Sequence, residues 1–119
     1  MLRHRAFRCR PHGDVAEHGP AFSEREEELL RLRGIAPGPR KARLLLKELL
    51  LEWLAAEGRP ALPQELEILP HAGGSGPPVL EVPAAHRMPG CRVHISLSHS
   101  GSHAAALLVV EDDGPEGQA

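Results

Sequence analysis

Apolar positions recur every three to four residues in the first half of the chain and every second residue in the later half. The pattern therefore predicts helices followed by strands. The clearest helix spans Pro39 to Glu57, with Pro39 near its first turn and Gly58 just past its end. At 100° per residue, Leu45, Leu46, Leu49, Leu50, Trp53 and Ala56 share one broad face. Arg40, Lys41, Lys47, Glu48 and Glu52 fall on the other side. Leu44 and Leu51 sit among those charges and admit two readings: coverage by neighbouring loops, or a second contact surface toward another segment or subunit. A shorter helix is predicted from Ser23 to Arg33. Ser23 is its N-cap, Glu26 completes a capping box, and acids precede arginines as the helix dipole favours. Gly34 suits its stop, and residues 35–38 read as a connector.

Beyond Gly58 the period changes to two. Glu65 to Leu69 alternates like a strand, His71 to Pro78 is a turn cluster, and Val79 to Val82 is a second short strand. After a loop over 83–90, Arg92 to His99 alternates with Val93, Ile95 and Leu97 on one face. Ser100-Gly101-Ser102 reverses the chain into His103 to Val110, a continuous apolar run expected to be a buried partner strand. Residues 1–21 are rich in Arg and His without periodicity and are expected to be a poorly ordered lead-in. The predicted class is α+β, two helices followed by a small antiparallel sheet. One domain is expected over 22–112, with a flexible acidic tail over 113–119.

Composition narrows the function. The chain has 119 residues, 14 Lys plus Arg against 16 Asp plus Glu, and a formal net charge of −2. That balance disfavours a purely electrostatic nucleic-acid binder. Phe7, Phe22 and Trp53 are its only aromatic residues other than histidine, which disfavours base stacking. No apolar stretch approaches the ~20 residues of a membrane span. Cys9 and Cys91 make no disulfide framework, and MLRHRAFRCRPHGD lacks the apolar core of a secretory signal, so a reduced, cytoplasmic setting is expected.

Two regions carry candidate chemistry. In the hairpin, His94, Ser96 and Ser98 share a strand face, and the Ser/Gly turn with His99 and His103 could hold phosphate oxygens. An ordinary polar strand face is the plainer reading. A zinc site from His94, His99, His103 and Cys91 has poor ligand spacing, and no nucleophile elbow surrounds any serine. On the long helix, Arg43 and Lys47 lie one turn apart, as do Glu48 and Glu52. A carboxylate there suits Mg²⁺ and a cation suits a diphosphate, whereas a solvated mixed-charge face is the common alternative.

Three segments, taken in order, change this balance. Phe22-Ser23-Glu24-Arg25-Glu26, then Arg43-Leu44-Leu45-Leu46-Lys47-Glu48-Leu49, then Val93-His94-Ile95-Ser96-Leu97-Ser98-His99-Ser100-Gly101 with His103-Ala104-Ala105-Ala106, resemble the 4′-phosphopantetheinyl transferase superfamily. The order is similar to the small holo-acyl-carrier-protein synthase type: F-T/S-x-x-E, an R-x-x-x-K-E-A helix, and a closing S-L-S-H-S hairpin. The resemblance covers about residues 20–112. It implies Mg²⁺-dependent transfer of phosphopantetheine from coenzyme A to a serine of an acyl, peptidyl or polyketide carrier protein, in fatty acid or polyketide biosynthesis. It implies Glu48 as a catalytic, metal-binding carboxylate and Lys47 beside the diphosphate. Arg43, Ser98, His99 and Ser100 would hold coenzyme A. A homotrimer with sites between subunits is implied too, with Leu44 and Leu51 as contacts and Arg25, Arg31 and Arg33 facing an acidic carrier. The alternative is a non-catalytic module of the same fold that binds coenzyme A or a carrier protein.

The sequence departs from the family pattern in three places. The family opens on a buried strand bearing Gly-x-Asp, whose Asp binds Mg²⁺. Gly13-Asp14-Val15 is a faint echo, without flanking apolar residues and close to Phe22, so that strand is expected to be missing or divergent. Glu52 stands where the family has a lysine, and Leu49 to Leu51 are bulkier than the family's small residues.

Overall fold

The computed structural model describes residues 1–32, 37–70, 78–83 and 86–112. The expected helix stop at Gly34, the turn residues 71–77 and the tail 113–119 lie outside the described residues. Helix α1 (Glu24–Leu32) opens on the predicted capping box. The Glu26 N–H donates to Ser23 Oγ at 3.1 Å, and the Ser23 N–H donates to Glu26 Oε1 at 3.0 Å. Helix α2 (Pro37–Ala56) starts two residues before the expected Pro39, since Pro37 tolerates the first turn equally well.

The lead-in reading fails over its first half. Leu2–Pro11 is strand β1, followed by a single 3₁₀ turn at His12–Asp14. Strands β2 (Glu67–Leu69) and β3 (Val79–Glu81) form a two-stranded antiparallel ribbon, with Ile68 opposite Leu80. Strands β4 (Cys91–His99) and β5 (His103–Asp112) form the predicted hairpin, with Ile95 opposite Leu108. β1 pairs antiparallel with β5 from Leu2 opposite Glu111 to Pro11 opposite His103. The main sheet therefore has the order β1-β5-β4. β1 escapes prediction because its inward positions are His4, Ala6, Arg8 and Arg10, which leave no apolar alternation to detect.

α2 lies across one face of this sheet. Ala42, Leu45, Leu46, Leu49, Leu50, Trp53 and Leu54 pack with Ala104, Ala106, Leu108 and Val110 in the core. β5 is thus buried at alternate positions only, where the continuous apolar run had suggested burial on both faces. Its other face, Ala105, Leu107 and Val109, is half-buried, and Phe7 opposite Leu107 is 65 % exposed. Leu44 is buried and Leu51 packs partly against the core, so the chain's own residues cover both.

Candidate functional site

Phosphate chemistry needs fixed positive charge and N–H donors. The start of α2 gathers side-chain cations, while Pro37 and Pro39 leave its first turn only the Gly38 and Arg40 N–H groups. Pro37 and Gly38 open the helix. A Cβ at Gly38 would overlap the His99 imidazole, so the glycine is what lets that ring rest on the first turn. Arg43, buried, donates to the Pro39 carbonyl at 3.1 Å within the same turns. Lys41 Nζ donates to the His12 carbonyl at 2.5 Å. His12 in turn meets the hairpin, its Nε2 lying 2.8 Å from the Ser100 carbonyl and its N–H donating to the Ser102 carbonyl at 2.9 Å. The 3₁₀ turn, the α2 start and the β4–β5 turn thereby converge.

The predicted hairpin residues divide between roles. Ser100 Oγ accepts the N–H groups of Ser102 at 3.2 Å and His103 at 3.1 Å, so it holds the turn together. Ser98 is exposed on the opposite face of the sheet from His99, as strand alternation requires. His94 bonds Glu111 on that outer face at 2.6 Å. With His94 and His99 on opposite faces, the zinc reading loses its geometry. No group of three metal-ligating side chains forms among the described residues.

Lys47 points away from this region. Its Nζ lies 2.6 Å from Glu26 Oε1, donates to the Pro63 carbonyl at 2.8 Å and sits 4.9 Å from the centre of the Phe22 ring. Lys47 and Glu26 are only 2 % and 1 % exposed. Burial pulls the Lys47 amine below its ordinary range, and Glu26 opposes that pull. Glu26 also accepts the Ile68 N–H at 2.9 Å, joining α1, α2 and β2. Lys47, expected beside a diphosphate, is therefore an internal strut. The F-S-x-x-E segment held the signal for its partner: the Glu26 Oε1 that accepts the capping-box Ser23 N–H also accepts Lys47, and Oε2 is left for the Ile68 N–H. The arginines of α1 are likewise engaged within the chain: Arg25 pairs with Glu81 at 3.2 Å and Arg31 with Glu28 at 2.5 Å. Arg33 lies outside the described residues.

Glu48, the next residue, faces the opposite flank, toward β1. Its Oε1 accepts Arg8 at 2.9 Å and Arg10 at 3.3 Å. Arg8 also grips Glu52 through two bonds of 2.8 and 3.0 Å. Arg8 holds the Glu52 carboxyl below the usual carboxylate range, and Glu52 raises the Arg8 guanidinium. A strand expected to be missing or divergent is thus present as β1, without Gly-x-Asp, and it offers guanidinium groups to Glu48. Asp14 is exposed on the 3₁₀ turn and joins no metal-ligating group among the described residues. Mg²⁺ is usually held by one or two carboxylates together with waters and substrate phosphates. Both carboxylates on this flank, Glu48 and Glu52, are already bonded by guanidinium groups, so the residues here do not fit a Mg²⁺ site. Arg8 and Arg10 are the functional candidates that sequence reasoning missed. Their complement was legible only as spacing: two arginines at i, i+2 and two carboxylates at i, i+4.

Comparison with protein-family models and with curated proteins gives no match to this sequence. Comparison with solved structures gives a match to the acyl carrier protein synthase (AcpS) of Mycobacterium tuberculosis, with 23 % identity and a TM-score of 0.70. The match covers 94 % of this chain and 99 % of that one. This chain has the α+β fold of that synthase, from β1 through the closing hairpin.

Proposed function

We propose that the protein is a phosphopantetheinyl transferase of the acyl carrier protein synthase type. It would move the 4′-phosphopantetheine arm of coenzyme A onto a carrier-protein serine. The observation that carries this reading is the seating of His99 on the first turn of α2, inside a fold that matches the synthase over nearly its whole length. A helix start flanked by Lys41, Arg43 and His99 suits the 3′-phosphate end of coenzyme A, because the two cations and the imidazole lie where negative charge would be favoured. The diphosphate would extend along α2 toward Glu48, Arg8 and Arg10. The carrier serine oxygen attacks the phosphorus next to the pantetheine and releases its proton to solvent water, the bond to the adenosine-side phosphate oxygen breaks, and adenosine 3′,5′-bisphosphate leaves with the electron pair. The guanidinium groups of Arg8 and Arg10 would spread the charge that develops in that step.

The partners under this reading are coenzyme A and an acyl, peptidyl or polyketide carrier protein. A second copy of the chain suits the outer sheet face around Phe7 and Leu107. No described helix is long and apolar enough to cross a membrane. A cytoplasmic setting belongs to the transferase reading.

The pairing of Glu48 with two arginines favours a second reading, a non-catalytic module that binds coenzyme A or a carrier protein. One experiment separates the two: intact mass of an apo acyl carrier protein after incubation with this chain, coenzyme A and Mg²⁺, with an active synthase in parallel. A gain of one phosphopantetheine group supports the transferase. An unchanged mass, with coenzyme A still bound in a calorimetric titration, supports the module. An unchanged mass without coenzyme A binding overturns the coenzyme A assignment.

A further inference from the structure

We infer that Arg8 and Arg10 act as built-in cations at Glu48, so that this flank of α2 takes no divalent metal and meets a diphosphate through guanidinium groups alone. The inference rests on the transferase-type reading of the fold for its ligand. Its electrostatics stand on the chain's own residues.

Both arginines project from the inward face of β1, two residues apart, as strand alternation requires. Their partners across the ladder are Ala106 and Ala104, whose small side chains leave room for guanidinium groups to cross toward α2. Glu48 and Glu52 lie one helical turn apart and receive them. Arg8 spans the turn, with one nitrogen shared by both carboxylates and a second on Glu52. Arg10 adds a second bond to the same Glu48 oxygen. Two guanidinium groups and two carboxylates sum to zero charge, and a divalent cation would raise that sum to +2. Any metal on Glu48 Oε1 would also have to displace two N–H donors that cannot lose their charge.

Arg10 keeps donors facing outward. Its side chain is 40 % exposed, and its described contacts with carboxylates reduce to the single 3.3 Å bond. The paired oxygens of a diphosphate match such a planar fork. Lys41 and the start of α2 continue the positive surface.

The probe is Mn²⁺, followed by electron paramagnetic resonance on the intact chain, with no coenzyme A or carrier protein present. The wild-type chain is expected to leave the free Mn²⁺ signal unchanged to millimolar concentration. Arg8→Gln with Arg10→Gln uncovers the carboxylates and is expected to bind Mn²⁺ at least tenfold more tightly. Arg8→Lys with Arg10→Lys keeps the charge and is expected to stay blind to the metal. If the double glutamine variant does not fold, by circular dichroism, the single Arg10→Gln takes its place. A stoichiometric Mn²⁺ site in the wild type that Glu48→Gln removes would overturn the inference. So would uncovered carboxylates that still ignore the metal. Failure of the transferase reading shows separately, as an unmodified carrier protein, because the Mn²⁺ measurement needs neither substrate.

Discussion

Lys47 and Glu48 are neighbours in sequence, yet they anchor two ion-pair groups of opposite character on the two flanks of α2. Toward α1 and β2, Lys47 and Glu26 are almost fully enclosed and every contact is internal. Toward β1, Glu48 and Glu52 meet Arg8 and Arg10 at a half-open surface. The same acid–base chemistry therefore does two jobs. Enclosed, it fixes how three elements dock. Open, it sets a pattern of charge that a ligand can reach. The enclosed pair is expensive to break because desolvation is not recovered when one partner leaves. The open group is cheap to alter because water compensates.

The largest expected effect comes from breaking the enclosed pair on one side. Glu26→Gln leaves the Lys47 amine buried opposite a neutral group, and a loss of about 3–5 kcal/mol is expected in urea unfolding. Replacing both partners, as Glu26→Leu with Lys47→Met, is expected to restore most of that loss. A double variant no better than the single one would show that hydrogen bonding to Ser23 and Ile68, rather than unpaired charge, dominates.

Next comes the packing that joins the two flanks at the start of α2. Gly38→Ala forces the His99 ring aside, and a loss of about 1–3 kcal/mol is expected from such overpacking. Affinity for coenzyme A should fall with it. His99→Ala should weaken coenzyme A more than the analogue lacking the 3′-phosphate. Equal losses would place the phosphate contact elsewhere.

Acid should then separate the flanks. Glu52 is held below its ordinary range by Arg8, Glu27 by Arg40, and Glu57 by Arg3. A carboxylate lowered in the folded state stabilises the fold above its unfolded pKa. That stability is lost as pH falls through the lower folded value. Melting temperature is therefore expected to hold near neutrality and to fall once pH drops below about 4.5. Lys47 has the opposite window. Its pKa is lowered by burial, so the unfolded chain binds more protons just below the ordinary lysine value, and its contribution rises with pH there. A melting temperature that drops between pH 9 and 10 in the wild type but not in Lys47→Met would contradict that sign.

The smallest effect belongs to the open group. Arg10→Ala is expected to change stability by less than about 1 kcal/mol, since surface pairs contribute little. A larger loss in thermal unfolding would mean that the cluster is a structural strut like its neighbour across the helix.

The two helices, the hairpin and its register-setting turn were legible because their signals are local. Ser23 with Glu26 caps α1, leucines at helical spacing mark α2, and period two marks β4. The F-S-x-x-E, Lys-Glu and Ser-His-Ser segments likewise pointed to the synthase fold, which the solved neighbour shares. β1 was not legible. A strand is recognised by its apolar face, and here that face is charged, satisfied by carboxylates some 40 residues away along the chain.

Sequence alone therefore determined the helices, the strands from β2 to β5, the α+β class and the chemical potential of Lys47 and Glu48, but not β1 or its arginines. Tertiary structure decided where that potential points. Adjacent residues on a helix differ by 100° in direction, so the direction of Lys47 and Glu48 depended on what packed on each flank. α1 and β2 enclosed Lys47 with Glu26, and β1 brought Arg8 and Arg10 to Glu48. Those contacts join residues far apart in the chain, and only the folded arrangement brings them within reach.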